Sequence, residues 1–198
     1  MSAAPKPTTL PLFPLNTVVF PGGRLPLRIF EQRYLDMVKQ AIADNTPFGI
    51  CAIREGAETG TPAVPHAVGT RVIVTDWDMP QTGILHIETQ AEKRFVIRHT
   101  QVEPGGLLVG TVDDISAEPA IAIPHELELA VEILRHIIDE HGHAHFPAPF
   151  AYDDAVWVGY RLSEVLPLKL SIKQNLLEMN DSVTRLRILA EFLKKQIN

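Results

Sequence analysis

Apolar and polar positions follow two rhythms along this chain, and the change of rhythm divides it. Residues 1–9 are small, polar and interrupted by proline, which predicts a loose tail. Over residues 10–115, short apolar runs alternate with turn formers: Phe48-Gly-Ile-Cys-Ala-Ile53, Val68-Gly-Thr-Arg-Val-Ile-Val-Thr75, Gly83-Ile-Leu-His-Ile-Glu-Thr89, Arg94-Phe-Val-Ile-Arg98 and Leu107-Leu-Val-Gly-Thr-Val112. Each run predicts a strand, and residues 78–83 and 103–106 have hairpin or loop composition. Strands at this spacing, without a helix between each pair, predict a compact sheet or barrel rather than βαβ units.

One helix interrupts the β-rich half. In residues 31–43, Tyr34, Leu35, Val38, Ala41 and Ile42 form the apolar stripe of an amphipathic helix. Glu31 suits the positive end of its dipole, and Asn45-Thr-Pro47 stops it. Before it, Leu25-Pro-Leu-Arg-Ile-Phe30 reads as an extended strand whose proline belongs at a sheet edge. Phe30 and Tyr34 are expected to clamp the helix onto the sheet, with Arg33 facing solvent.

Residues 116–124 read as a linker, and residues 125–198 as a helical bundle. Leu127, Ala130, Val131, Leu134, Ile137, Ile138 and His141 share one face at a period of 3.6. A second helix spans 152–166, closed by Pro167. Ser171 and Gln174 form a capping-box pattern for a third over 172–179. Asn180 or Asp181 starts the last, which turns Val183, Leu186, Leu189, Ala190, Leu193 and Ile197 inward.

Charge and composition narrow the function. Lys+Arg 18 against Asp+Glu 24 gives −6, the wrong sign for a protein that grips phosphates. The imbalance is local. Residues 118–154 hold eight acidic side chains and one arginine, whereas residues 155–198 hold seven basic and four acidic. Both read as solvated surface. With 45% hydrophobic residues the chain is not a disordered one, and one cysteine excludes an intrachain disulfide framework. No run approaches the ~20 apolar residues of a membrane span, and residues 1–15 lack a signal-peptide pattern, so a soluble, cytoplasmic protein is expected.

Catalytic patterns are sparse. There is no Gly-Lys dipeptide for a phosphate-binding loop, and no serine lies in a Gly-x-Ser-x-Gly elbow. Cys51 sits in an apolar run, where a thiol is usually inert filler. His141-Gly-His-Ala-His145 places His141, His143 and His145 at alternate positions, within reach of one zinc, copper or nickel ion. A glycine-containing helix exit offers such a site little rigidity, so a histidine-rich polar turn is the favoured reading and no cofactor is expected. Basic residues beside aromatics at 31–34 and 93–98 have Glu31, Glu88 and Glu92 nearby and read as ion-paired.

The same residues carry a resemblance. Leu10-Pro-Leu-Phe-Pro-Leu15, Asn16-Thr-Val-Val-Phe-Pro-Gly22 and Leu25-Pro-Leu-Arg-Ile-Phe-Glu-Gln-Arg-Tyr34 look like the N-terminal, substrate-binding domain of the ATP-dependent protease Lon. So do Phe48-Gly-Ile50, Val68-Gly-Thr70, residues 89–98, Leu162-Ser-Glu-Val-Leu-Pro-Leu-Lys-Leu-Ser171 and Lys173-Gln-Asn-Leu-Leu-Glu178. The resemblance spans residues 10–197. It implies an α+β fold in which a PUA-like β-barrel half with one inserted helix precedes a C-terminal α-helical bundle. It also implies a stand-alone bacterial domain without the ATPase and Ser-Lys protease modules, hence no enzyme.

The leading expectation is a non-catalytic module that binds unfolded or client proteins by strand addition or in a groove, alone or beside a separate protease. Phe13 and Phe20 are candidate apolar contacts, and Arg24, Arg28 and Arg33 are the local cations that would complement acidic peptides. An RNA-binding PUA-like domain is the first alternative, although the charge argues against nucleic acid. A metal-dependent hydrolase built on Asp139, Glu140 and the three histidines is the second.

Overall fold

The computed structural model describes residues 8–142, 146 and 148–197. The chain divides between Ser116 and Ala117 into a β-rich unit and a helical unit. The first comprises β1 (Thr8–Leu15), β2 (Arg24–Ile29), α1 (Gln32–Asp44), β3 (Phe48–Glu55), β4 (Val64–Pro65), β5 (Val68–Gln81), β6 (Ile84–Val102) and β7 (Leu108–Asp114). Thr8 and Thr9, expected in the tail, are already strand, paired with Val112 and Thr111.

Five strands close into a barrel. β1, β7, β6, β5 and β3 follow one another as antiparallel neighbours, and β3 returns to β1 in parallel. Closure removes the free edges that an open sheet would carry. So small a barrel holds few side chains: Leu10, Leu12, Cys51, Phe95, Leu108 and Val112 fill it. Phe95 fits because its neighbours lack side chains. A Cβ on Gly69 would lie 2.8 Å from the Phe95 ring and 2.6 Å from the Ile50 carbonyl oxygen.

Residues 83–89 and 94–98, expected as two strands, lie from Ile84 onward in one continuous β6 of 19 residues. Residues 91–93 contain no turn former, so the chain changes partner there instead of reversing. Its first part pairs with β2, its last with β7, and β5 accompanies it through several bulges. The outer ends of β5 and β6, together with β2, form a three-stranded arm in the order β2-β6-β5. Ile29, Leu85 and Ile87 on its inner face pack into a second core with Tyr34, Leu35 and Val38 of α1.

Two expectations at this corner are overturned. Phe30 does not clamp α1: it is 56% exposed, because β2 ends with Ile29 turned inward and alternation sends the next side chain out. Phe13 supplies the clamp, its ring stacked on Tyr34 at 4.0 Å between centroids. Nor does Arg33 face solvent. It is 7% exposed, with Nη2 2.9 Å from Glu31, Nη1 donating to the Gly106 carbonyl at 3.1 Å and the guanidinium over the Tyr34 ring. Asn45 closes α1 in the left-handed conformation at φ 51°, which asparagine tolerates well.

The helical unit comprises a 3-10 turn (His125–Leu127), α2 (Glu128–His141), α3 (Ala155–Val165), α4 (Leu170–Glu178) and α5 (Ser182–Ile197). Leu134, Ile138, Val158, Leu162, Leu176, Leu186 and Leu189 are buried. Asp154 caps α3 through the Val156 N–H, and Asp181 accepts from the Thr184 N–H at 2.9 Å to open α5. Ser171 is not a cap. The first turn of α4 already closes on the Lys169 carbonyl, and Gln174 donates to Glu178 instead.

Residues 117–124, expected as a linker, are tied to the helices. Glu118 accepts hydrogen bonds from Tyr160 and Arg185, and Ile121 is bonded through its N–H to Asp154 and through its carbonyl to Ala155.

Candidate functional site

The structure scatters the five side chains singled out as peptide contacts. Phe20 is 0% exposed and unavailable to a ligand, because its ring completes the core. Phe13 is likewise buried, but it forms part of the floor of a notch of about 150 Å³ rimmed by Arg28 and Phe30. Arg33 is committed to α1 and the β6–β7 loop. Arg24 and Arg28 remain exposed and lie on the same outer face of β2, either side of Pro26.

Of the histidines, His141 is hydrogen-bonded through Nδ1 with the Ile137 carbonyl at 2.9 Å, while His143 and His145 lie outside the described residues. Among the described residues no group of three or more His, Cys, Asp or Glu side chains is arranged to hold a metal ion. Cys51 is enclosed in the barrel, and burial pushes its thiol far above the ordinary range, against nucleophilic use.

The arm brings other residues together. Its register sets Arg28, His86 and Asp78 in one row across the three strands, and Pro26, Glu88 and Asp76 in the next. Directly opposed residues project from the same side of a sheet, so each row shares a face. A groove of about 440 Å³ runs over these rows; Trp77, 53% exposed at its border, is opposed to the inward-facing Ile87 and so projects from the other side of the sheet. Arg28 borders both this groove and the notch beside Phe30.

Both outer edges of the arm are unsuited to an added strand. β2 carries Pro26, which lacks an N–H, and β5 carries within the arm Asp76, Asp78, Pro80 and two of its three bulges. Of the two binding modes expected, only the groove keeps a suitable surface here.

The helical unit has an apolar groove of its own, about 460 Å³, where Ile172 and Leu176 of α4 face Ile188 and Phe192 of α5. In the same unit, burial pushes the Glu164 carboxyl up to about 7, although Arg161 at 2.9 Å and Lys173 pull the other way.

Trp77 lies between the apolar run that ends at Thr75 and the turn composition of residues 78–83, so neither pattern includes it. A signal existed: a tryptophan between two aspartates in Asp76-Trp-Asp78 has no apolar stripe to join, so a strand there must leave part of it exposed.

Comparison with known proteins places this geometry. The crystal structure of a Lon N-terminal domain protein from Xanthomonas campestris is 34% identical, with 92% of this chain and 96% of that one covered at a TM-score of 0.77. The N-terminal domain of the Mycobacterium avium complex Lon protease shares the fold at 16% identity and a TM-score of 0.64, over 93% of this chain and 97% of that one. The Lon protease of Anaeromyxobacter dehalogenans is 38% identical over 66 residues, which is 32% of this chain and 8% of that protease. The chain spans between 6 and 13% of the length of the curated Lon proteases it matches. Residues 9–195, nearly the whole α+β architecture described above, match the ATP-dependent protease La (LON) substrate-binding domain, and the chain belongs to that family.

Proposed function

We propose that this chain is a non-catalytic protein-binding module that receives unfolded polypeptide segments at the arm. The observation that carries the reading is the pairing of exposed aromatics with concave surface: Trp77 beside the groove and Phe30 beside the notch, joined at Arg28. Aromatic side chains at such positions give a large contact area at little conformational cost. A folded protein keeps its apolar side chains inside, so a surface of this kind discriminates in favour of unfolded chains. The net charge of −6 and the carboxylates on the arm favour a protein partner over RNA.

Isothermal titration with a model protein, once reduced and unfolded and once native, tests the reading. Binding of the unfolded form alone is expected, weakened at least severalfold by Trp77→Ser combined with Phe30→Ser. Absence of binding to both forms, or affinity unchanged by the double substitution, overturns it.

A further inference from the structure

The notch at the β2–α1 corner has the size and lining of a socket for one side chain. Its volume of about 150 Å³ matches that of an engineered apolar cavity that admits one benzene ring. Phe13, Leu15, Leu27 and Ile29 line it with hydrocarbon, and Tyr34 adds a polar group. Tyr34 is 4% exposed, its ring fixed by the Phe13 ring at 4.0 Å and the Arg33 guanidinium at 4.6 Å. Among the described residues the Tyr34 hydroxyl has no hydrogen-bond partner, and its oxygen is not sealed off from the notch. Burial pushes this phenol up from an ordinary 10, so it stays a neutral donor and acceptor at neutral pH.

The surroundings narrow what can enter. Of the carboxylates at the rim, Glu31 is paired with Arg33 and Glu58 accepts from the Asn16 N–H. They disfavour a ligand carboxylate, and the hydrocarbon lining disfavours any buried charge. An indole exceeds the volume, and an amide leaves further polar atoms unpaired against hydrocarbon. A neutral six-membered ring with a hydroxyl at its tip meets every condition.

We infer that the notch is a tyrosine socket: one tyrosine side chain of a bound segment enters it, the ring among the apolar side chains and the hydroxyl paired with that of Tyr34. The assignment deepens the binding function proposed above and rests on it. A phenylalanine fills the same volume but leaves the Tyr34 hydroxyl unpaired, so the hydroxyl and not the ring sets the choice.

The experiment is fluorescence anisotropy with the full chain and two labelled peptides, identical except for a central tyrosine or phenylalanine. The tyrosine peptide is expected to bind about tenfold more tightly. p-Cresol, the tyrosine side chain alone, should displace it, and toluene should do so about tenfold less well. Tyr34→Phe should bring the two peptides to equal affinity. The substitution removes one oxygen and keeps the ring against Phe13, with the fold checked by circular dichroism. Should that variant not fold, p-cresol against toluene on the parent decides. Equal binding of the two peptides, a tyrosine preference that survives Tyr34→Phe, or no displacement by p-cresol overturns this inference and leaves the binding module standing. Binding of the unfolded model protein but of neither peptide overturns it as well. If neither peptide nor the unfolded protein binds, the binding function itself falls. Self-association that Phe30→Ser abolishes, without a tyrosine preference, would assign the notch to a second copy and overturn the inference.

Discussion

The Nη2 atom of Arg185 lies 3.0 and 2.9 Å from the two carboxylate oxygens of Glu118. Both side chains are almost fully enclosed, and the Tyr160 hydroxyl completes the site by donating to the same carboxylate at 2.6 Å. Gly159 makes room for the pair, since a Cβ there would come within 3.2 Å of the Arg185 Nε. Removing one partner strands a buried charge, which typically costs about 3–5 kcal/mol. Arg185→Met should therefore destabilise the helical unit by about that amount in urea denaturation followed by circular dichroism. Arg185→Met with Glu118→Leu should recover part of the loss, because neither charge is then left without the other.

Arg33 and Phe30 exchange the parts their sequence positions suggest. Arg33→Ala breaks a charged hydrogen bond and an enclosed ion pair and should lower stability by about 1.5–3 kcal/mol. Arg33→Glu should lower it further, by setting a second carboxylate beside Glu31. Phe30→Ala should stay within about 0.5 kcal/mol of the parent, as exposed substitutions do. Thermal melts of the three variants check the order.

Glu164 makes stability fall as the solution becomes less acidic. Its folded pKa of about 7 lies above the ordinary 4.5, so the folded state holds a proton that the unfolded chain releases. That preference is fully present below about 4.5 and is lost as pH rises to about 7, a change on the order of 3 kcal/mol at most. Asp114 acts in the opposite sense at lower pH. Burial pushes its carboxyl up, but hydrogen bonds from Lys93 and Arg71, and their charges, outweigh that and hold it below the ordinary 3.8. Its stabilisation is present above 3.8 and lost on stronger acidification. Denaturation at pH 5 and pH 8 should differ for the parent and differ less for Glu164→Gln.

Gly69→Ala should damage the barrel beyond what repacking repairs. Its Cβ would meet a backbone oxygen, that of Ile50, as well as the Phe95 ring. Overpacking of this kind costs about 1–3 kcal/mol. Phe95→Leu added to it relieves only the ring contact, so the double variant should not regain the stability of the parent in a denaturant titration.

How far the sequence discloses the structure depends on whether a feature is local. α1 and its Asn45 stop, and the α2 and α5 stripes, follow from side-chain period and cap chemistry within one turn. The 19-residue β6 could not be read that way, because its continuity depends on which strand lies beside it at each end. The burial of Arg33 escapes a local reading for the same reason: its acceptor is the carbonyl of Gly106, far along the chain. The groove depends on the register of β5 against β6, which bulges shift at three places and no local pattern reports.

The pairing of β1 with β7 ties barrel closure to the last strand made. β1 touches β3 at Leu12–Gly49, yet its other neighbour is β7, with Thr8 opposite Val112. Until β7 has emerged the barrel cannot close, and Leu10 and Leu12 lack the strand that covers them on that side. At about 5–20 residues per second that interval lasts several seconds. A ribosome stalled before residue 108 would leave the first strand without its β7 neighbour. Closure needs β7, which joins the first strand of the barrel to the last.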